Sequence, residues 1–321
     1  MFQVFLIIAM VMIPAIIAIS FLLCCIVLVI MWRDRRSSRY KSFFYKCWWS
    51  EGLMNLFTFV YFISTIYARF YNSASDAFMY LNHFPWWTKF AELSQEQIMY
   101  IQIMNVFLTV AGRICTVCLP HSAVTSIIER LNKWEIFGLQ ITIPTITVIP
   151  LFFIFDFEYG LTQPYEIPKT LGSTSPHYSK VLFLLGLTYR GSAFAICVFG
   201  YVFLFWTVRS KAKRKETNIL VLCGCLLGAL GVEVAYTVLF YFREKGAYEA
   251  YAVVRLLCFT SMLWIPFTDI VVTILVLAPL RKSIIRLVTN QPETATTTVF
   301  QASKCPSTVV ASNNQFTVRI N

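Results

Sequence analysis

The chain has 321 residues, 58% of them hydrophobic and 13% charged, with a formal net charge of +11 and a mean hydropathy of +0.65. Water-exposed domains carry about 25% charged residues, so this much apolar surface excludes an ordinary soluble domain and places the chain in the membrane class. The positive charge gathers in particular loops between apolar runs, with no basic stripe interleaved by aromatics and no zinc spacing, so it argues for orientation in a bilayer and against nucleic-acid binding.

A helix needs about 20 apolar residues to cross the hydrocarbon. Seven stretches meet that length, at about 4–31, 44–67, 97–119, 137–157, 181–208, 218–242 and 251–277. The first has no basic segment before it and stays free of charge through Trp32. It exceeds the apolar core of about 7–15 residues that a cleaved signal carries, so it is expected to be a retained span. The second holds Glu51, expected close to the inner end of its helix and within reach of headgroups or Lys46.

The third stretch carries the most informative pattern. Gln102, Asn105, Thr109, Arg113 and Thr116 recur three or four residues apart and so share one helical face inside an apolar coat. A polar seam of this kind predicts the central helix of a bundle, with Arg113 at its cytoplasmic end and a short charged loop following toward Trp134.

The fourth stretch contains Pro144 and Pro150, and the sixth contains Gly224, Gly228 and Gly231; packed membrane helices tolerate both residue types. In the sixth, these glycines and Ala235 form a small-residue face suited to close helix contact, with Glu233 about 180° away. If the glycines meet a neighbour, Glu233 turns toward the bundle interior. In the seventh, Arg255, Met262, Pro266, Asp269 and Thr273 fall within about 60° of arc, so both charges turn inward together.

Orientation follows from the basic residues between spans. On one side lie Arg33, Arg35, Arg36, Arg39, Lys41, Lys46, Arg113, Arg130, Lys133, Arg209, Lys211, Lys213, Arg214, Lys215 and the tail residues Arg281, Lys282, Arg286, Lys304 and Arg319, nineteen in all. The other side holds six, namely Arg69, Lys89, Lys169, Lys180, Arg243 and Lys245. The excess belongs in the cytoplasm, which puts the N-terminus outside and the C-terminus inside. Trp32, Trp48, Trp49, Trp134 and Trp206 then form an inner aromatic belt, with Trp86 and Trp87 at the outer interface. None of the ten cysteines falls in an outer loop, so no extracellular disulfide framework is expected. The expected organisation is an all-α integral membrane protein with a seven-helix transmembrane domain over 1–287. A polar, aperiodic cytoplasmic tail over 288–321 is expected to be disordered.

Ionisable groups within spans cost about 2.5–3.5 kcal/mol each at mid-membrane on insertion scales, so they mark function or pairing. They are Glu51, Arg113, Arg190, Glu233, Arg255 and Asp269. Arg190, Glu233 and Arg255 map to the outer halves of helices five, six and seven, and Gln102 and Asn105 stand at the same level on helix three. Together they are candidates to line an outward-open cavity for a small ligand, with Glu233 countering at least one arginine. The competing reading is a structural ion pair that fixes helix packing. His83, His121 and His177 lie in or beside three different loops and make no metal triad, and no nucleophile elbow or phosphate-cradling loop occurs. Asp156 and Glu158 read as solvated residues at the outer end of helix four. No enzyme, metal or cofactor is therefore expected.

Seven spans, an outside N-terminus, a basic third inner loop and an arginine near the end of helix three together resemble a serpentine, G-protein-coupled type of receptor. Gly112 and Arg113 followed by Pro120, and a last helix reading Trp264, Ile265, Pro266 before Pro279, Leu280, Arg281, resemble more narrowly the nematode serpentine chemoreceptors, particularly the gamma class. Such receptors often have Asn before the arginine and an aromatic after the proline, where this chain has Gly112 and Ile127.

The resemblance implies a small extracellular chemical cue that shifts an inactive–active equilibrium, and a heterotrimeric G protein engaged at the inner face of a multi-pass protein of the plasma membrane, sensory cilia included. Arg113, Pro120, Asp269 and the basic residues Arg209, Lys211, Lys213, Arg214 and Lys215 are the matching candidates for activation and coupling. Against this stand a snorkelling role for Arg113 and a purely topological or lipid-binding role for the basic segment. The competing function classes are a seven-span small-solute transporter, which predicts internal repeats not found here, and a lipid-modifying enzyme, which would want acidic or histidine clusters at one membrane face.

Overall fold

The computed structural model describes residues 2–33, 42–66, 77, 79–160, 170–173, 178–210, 217–243 and 263–289. The helices are α1 (Phe2–Arg33), α2 (Phe43–Tyr61, continued by a π-turn at Phe62–Ile66), α3 (Pro85–Cys118), α4 (Ala123–Arg130), α5 (Lys133–Ile154), α6 (Tyr178–Ser210), α7 (Thr217–Arg243), α8 (Leu263–Val276) and α9 (Ala278–Thr289). Among the described residues, the first six apolar stretches fall on α1, α2, α3, α5, α6 and α7 and the described part of the seventh on α8, as an all-α membrane protein requires; residues 251–262 of the seventh lie outside the described residues. Val11–Arg33, Pro85–Cys118, Lys133–Ile154 and Lys180–Arg209 are each long and apolar enough to cross a membrane. Leu220–Ala235 adds a shorter apolar helix, and α8 turns by 83° into α9.

Local chemistry sets the helix ends. Pro85 opens α3, where its missing N–H costs no ladder bond. At α5, the Asn132 carboxamide oxygen accepts from the backbone N–H of Trp134 and Glu135, and the Glu135 carboxylate accepts from the Asn132 N–H, a complete capping box. From there α5 runs on through Pro144 and Pro150.

The stretch between α3 and α5 is more ordered than the charged loop expected there. Ser122 accepts from the Thr125 N–H at 3.1 Å and starts α4, whose Thr125 hydroxyl reaches back to the Cys115 and Leu119 carbonyls at 3.0 and 2.7 Å. After α5 the chain forms an antiparallel ribbon, β1 (Phe157–Gly160) with β2 (Thr170–Ser173), pairing Phe157 with Ser173 and Gly160 with Thr170. Glu158 therefore lies on a strand beyond the end of α5. Asp156 is solvent-facing as expected and pairs with Lys89 at 2.8 Å.

α3 is the hub, packing against α2, α5, α6 and α7. One buried cluster joins Tyr100, Ile103, Val106 and Val110 of α3 to Leu222, Leu226 and Leu230 of α7. A second joins Ile17 and Cys24 of α1, Phe59 and Phe62, Ile98 and Met99, and Leu263 and Ile270 of α8. Large apolar side chains such as Phe153, Phe199 and Trp206 face outward, as lipid contact requires. Lipid is as apolar as Leu, so close packing and buried polar bonds hold these helices together. The small-residue face of α7 meets a neighbour at two of its four positions: Gly224 faces the Tyr201 ring and Gly231 the Phe194 ring, both of α6, whereas Gly228 faces open space and Ala235 is exposed.

Two expected positions are corrected. Glu51 does not reach headgroups or Lys46: it is 1% exposed, and Lys46 instead donates to the Glu129 and Leu131 carbonyls at 2.9 and 2.7 Å. Trp48 does not belong to an interfacial belt; it is buried and its indole N–H donates to Asp269 Oδ1 and Thr273 Oγ1, both at 3.1 Å. Trp32, Trp134 and Trp206 do stand exposed.

Candidate functional site

A buried ion pair stands at the centre of a cluster where α3, α6 and α7 meet. Arg190 of α6 pairs with Glu96 of α3 at 3.0 Å, both side chains almost wholly buried. The guanidinium also donates to Thr237 Oγ1 at 2.6 Å, touches Met99 Sδ at 3.5 Å and lies 5.6 Å from the centre of the Tyr100 ring. Tyr189 packs its ring 4.7 Å from that of Tyr100 and donates to the Tyr100 carbonyl. The Tyr100 hydroxyl is buried with no hydrogen-bond partner, a polar atom that a bound molecule could satisfy. Thr237 in turn donates to the backbone carbonyl of Glu233, one turn earlier on α7 and 1% exposed.

Sequence reasoning found Arg190 and Glu233 and missed Glu96. The reason is length: α3 begins at Pro85, not near Gln97, so Glu96 stands inside a helix that the hydropathy alone starts too late. Its signal was present as an acid one turn before Tyr100. Arg255 lies outside the described residues.

Gln102 and Asn105 belong to a different face of α3. Gln102 donates to Thr58 of α2 at 3.4 Å, and Asn105 is fully buried one turn on. Glu96, Met99 and Tyr100 meet Arg190 and Tyr189 of α6, whereas Gln102 meets Thr58 of α2 and Asn105 stands about 60° round the helix from Gln102. The structure thus divides the expected ligand-site residues between two sides of the central helix.

Toward the other end of α3, Arg113 lays its guanidinium 4.1 Å from the centre of the Phe44 ring. Thr116 bonds back to the Gly112 and Arg113 carbonyls. Pro120 stands in the turn before α4 and, with His121, Ser122, Thr125, Ser126, Glu129 and Arg130, lines a shallow concavity of about 330 Å³. Asp269 does not line that concavity and is held in the core by Trp48, Thr273 and Asn55. Arg209 is an exposed residue near the end of α6, and Lys211, Lys213, Arg214 and Lys215 lie outside the described residues. Close to the same end, Lys133 Nζ sits 4.1, 5.1 and 5.5 Å from the ring centres of Trp49, Trp32 and Trp134. No group of three or more metal-ligating side chains occurs among the described residues.

A family model described as "Serpentine type 7TM GPCR chemoreceptor Srv" matches residues 11–260, from within α1 to beyond α7. No curated protein matches the chain.

Proposed function

Since the chain belongs to the serpentine type 7TM GPCR chemoreceptor Srv family, we propose that it binds a small chemical cue at the outer half of its bundle and signals through a heterotrimeric G protein at the inner half. The observation that carries this reading is the buried Arg190–Glu96 pair, held on the central helix beside the unsatisfied Tyr100 hydroxyl. A cue bearing a hydrogen-bond acceptor competes with Glu96 for the guanidinium, and Glu233 and Arg255 adjust the local charge. Gln102 and Asn105, across α3, sense the same event through the α2 contact.

α3 runs unbroken from that cluster to Arg113, so a ligand that favours one packing of α6 and α7 against α3 changes what Arg113 meets at the other end. A two-state bundle with different cue affinity in each state is a sufficient mechanism. The excess of basic residues near the Arg113 end supports a cytoplasmic placement. The exposed Arg209, the basic segment after it and the Pro120 turn then form the surface offered to the G protein. Asp269 takes part from the core, where its hydrogen bonds couple α2 to α8. Plasma-membrane placement with sensory cilia, a nematode source and the gamma class complete the reading, on the strength of the helix-three and last-helix motifs.

The test is expression in cells carrying a G-protein reporter, screened against chemical cues, with uptake of radiolabelled cue as the control. A reporter response without uptake is expected, and Glu233→Gln is expected to lower it at normal surface expression. Uptake without signalling would assign the chain to the transporters instead.

A further inference from the structure

We propose that Trp32, Trp49 and Trp134 form a cage for the trimethylammonium group of a phosphatidylcholine headgroup, at the membrane interface, and that Lys133 fills the cage until that lipid displaces it. The three indoles come from three helices: Trp32 from the last turn of α1, Trp49 from the second turn of α2 and Trp134 from the first turn of α5. α2 packs against both α1 and α5, which brings the rings to one place. Trp134 stands edge-on to Trp49, with ring centres 5.1 Å apart and planes at 81°, so the two make the walls of a corner. Trp32 and Trp134 are 54% and 60% exposed, which opens the corner to the headgroup layer where interfacial tryptophans sit.

A cation already occupies it. The Lys133 ammonium lies 4.1, 5.1 and 5.5 Å from the ring centres of Trp49, Trp32 and Trp134, all inside the reach of about 6 Å over which a ring face attracts positive charge. It has no hydrogen bond or ion pair to a described residue. Glu135, the nearest acid in the chain, is engaged with the Asn132 N–H in the α5 cap. A primary ammonium is a compact, strongly hydrated charge with three N–H donors, and the rings offer no oxygen to receive them. The cage therefore satisfies the charge of Lys133 and leaves its donors wanting.

A trimethylammonium group brings the same single charge with no N–H to satisfy, and it presents methyl groups to every wall. It gains the attraction of the rings without giving up hydrogen bonds. The flexible four-carbon stem of Lys133 lets its ammonium swing out, where the phosphate of the same headgroup supplies charged oxygens for its donors. One positive charge replaces another, so the exchange leaves the charge of the cage unchanged and improves the position of the lysine. Ethanolamine and serine headgroups gain nothing by entering, because their primary ammonium repeats that of Lys133. Bound there, the choline lipid would tie α1, α2 and α5 together at their shared end.

The full chain is reconstituted in nanodiscs of equal parts phosphatidylcholine, phosphatidylethanolamine and phosphatidylserine with identical acyl chains, and the lipids retained on the released protein are counted by native mass spectrometry. The choline lipid is expected to exceed the ethanolamine lipid by about fivefold, the worth of one cation–π contact. Trp134→Leu, which removes a ring face at an exposed position and keeps apolar bulk, is expected to bring the two to parity, and Lys133→Gln to raise the ratio by removing the resident competitor. Equal retention of the choline and ethanolamine lipids by the wild type would overturn the cage. So would a choline preference that survives in both Trp134→Leu and Trp32→Leu, or one that falls in Lys133→Gln. Serine lipid retained above both others, and lost in Lys133→Gln, would make the lysine an anchor for an anionic headgroup and overturn the cage as well. The wild-type ratio decides without any variant, and it reads lipid binding, so it stands apart from the signalling proposal.

Discussion

Gly112 and Phe43 occupy the same space at the contact of α3 with α2: a Cβ added to Gly112 would come within 2.3 Å of the Phe43 ring. The residue before Arg113 is therefore glycine because the neighbouring aromatic leaves no room for more. Gly112→Ala is expected to lower stability by about 1–3 kcal/mol, the usual cost of overpacking, and adding Phe43→Leu to restore much of it. Thermal unfolding of the purified single and double variants checks this, and a Gly112→Ala midpoint equal to wild type would refute it.

Removing one side of the Arg190–Glu96 pair leaves a buried charge without its counter-ion. Glu96→Gln is expected to cost about 3–5 kcal/mol, and the double variant Glu96→Leu with Arg190→Met to recover a large part, because an apolar pair of similar volume carries no desolvation penalty. A double-mutant cycle on unfolding midpoints measures the coupling. Additive single effects would show that the two side chains do not depend on each other.

Lys133 sits in the first turn of α5, where the helix dipole disfavours a cation. Three tryptophan faces around its ammonium supply the compensation. Lys133→Gln is expected to cost about 0.5–2 kcal/mol, the range of cation–π contacts, and to shift tryptophan emission, with Lys133→Arg retaining both properties. Emission unchanged in Lys133→Gln would dissociate the lysine from the rings.

For Arg113 the expected result is functional. Arg113→Ala should abolish cue-evoked G-protein activation while the protein still reaches the cell surface, and Arg113→Lys should rescue it only in part, since an ammonium lacks the planar face that stacks on Phe44. An intact response in Arg113→Ala would leave the arginine as an interface anchor.

Periodicity exposed those features that depend on one helix at a time. The seam of Gln102, Asn105 and Thr109 is buried, Gly224 and Gly231 of the small face of α7 meet α6, and Asp269 and Thr273 turn inward together because their spacing on α8 requires it. Features that depend on two helices were hidden. Hydropathy could not show that Glu96 is inside the bundle, because the helix continues past its apolar part. Nor could it show that Trp48 points to Asp269, more than two hundred residues away, or that Glu51 lies deep in the core. α4 and the ribbon arise from side-chain caps and strand pairing, which leave little trace in an apolar average.

At 34 residues, α3 measures about 51 Å against a hydrocarbon thickness of about 30 Å, whereas α5, with 22 residues, measures about 33 Å. The bilayer therefore sets the depth of α5 far more than that of α3. A thicker membrane is expected to draw α5 along the central rod to relieve hydrophobic mismatch, loading in shear the bond from Gln97 to Thr145 that joins the two helices at 2.6 Å. Lipid composition would then act on the receptor through that junction, one residue along α3 from the Glu96 that pairs with Arg190.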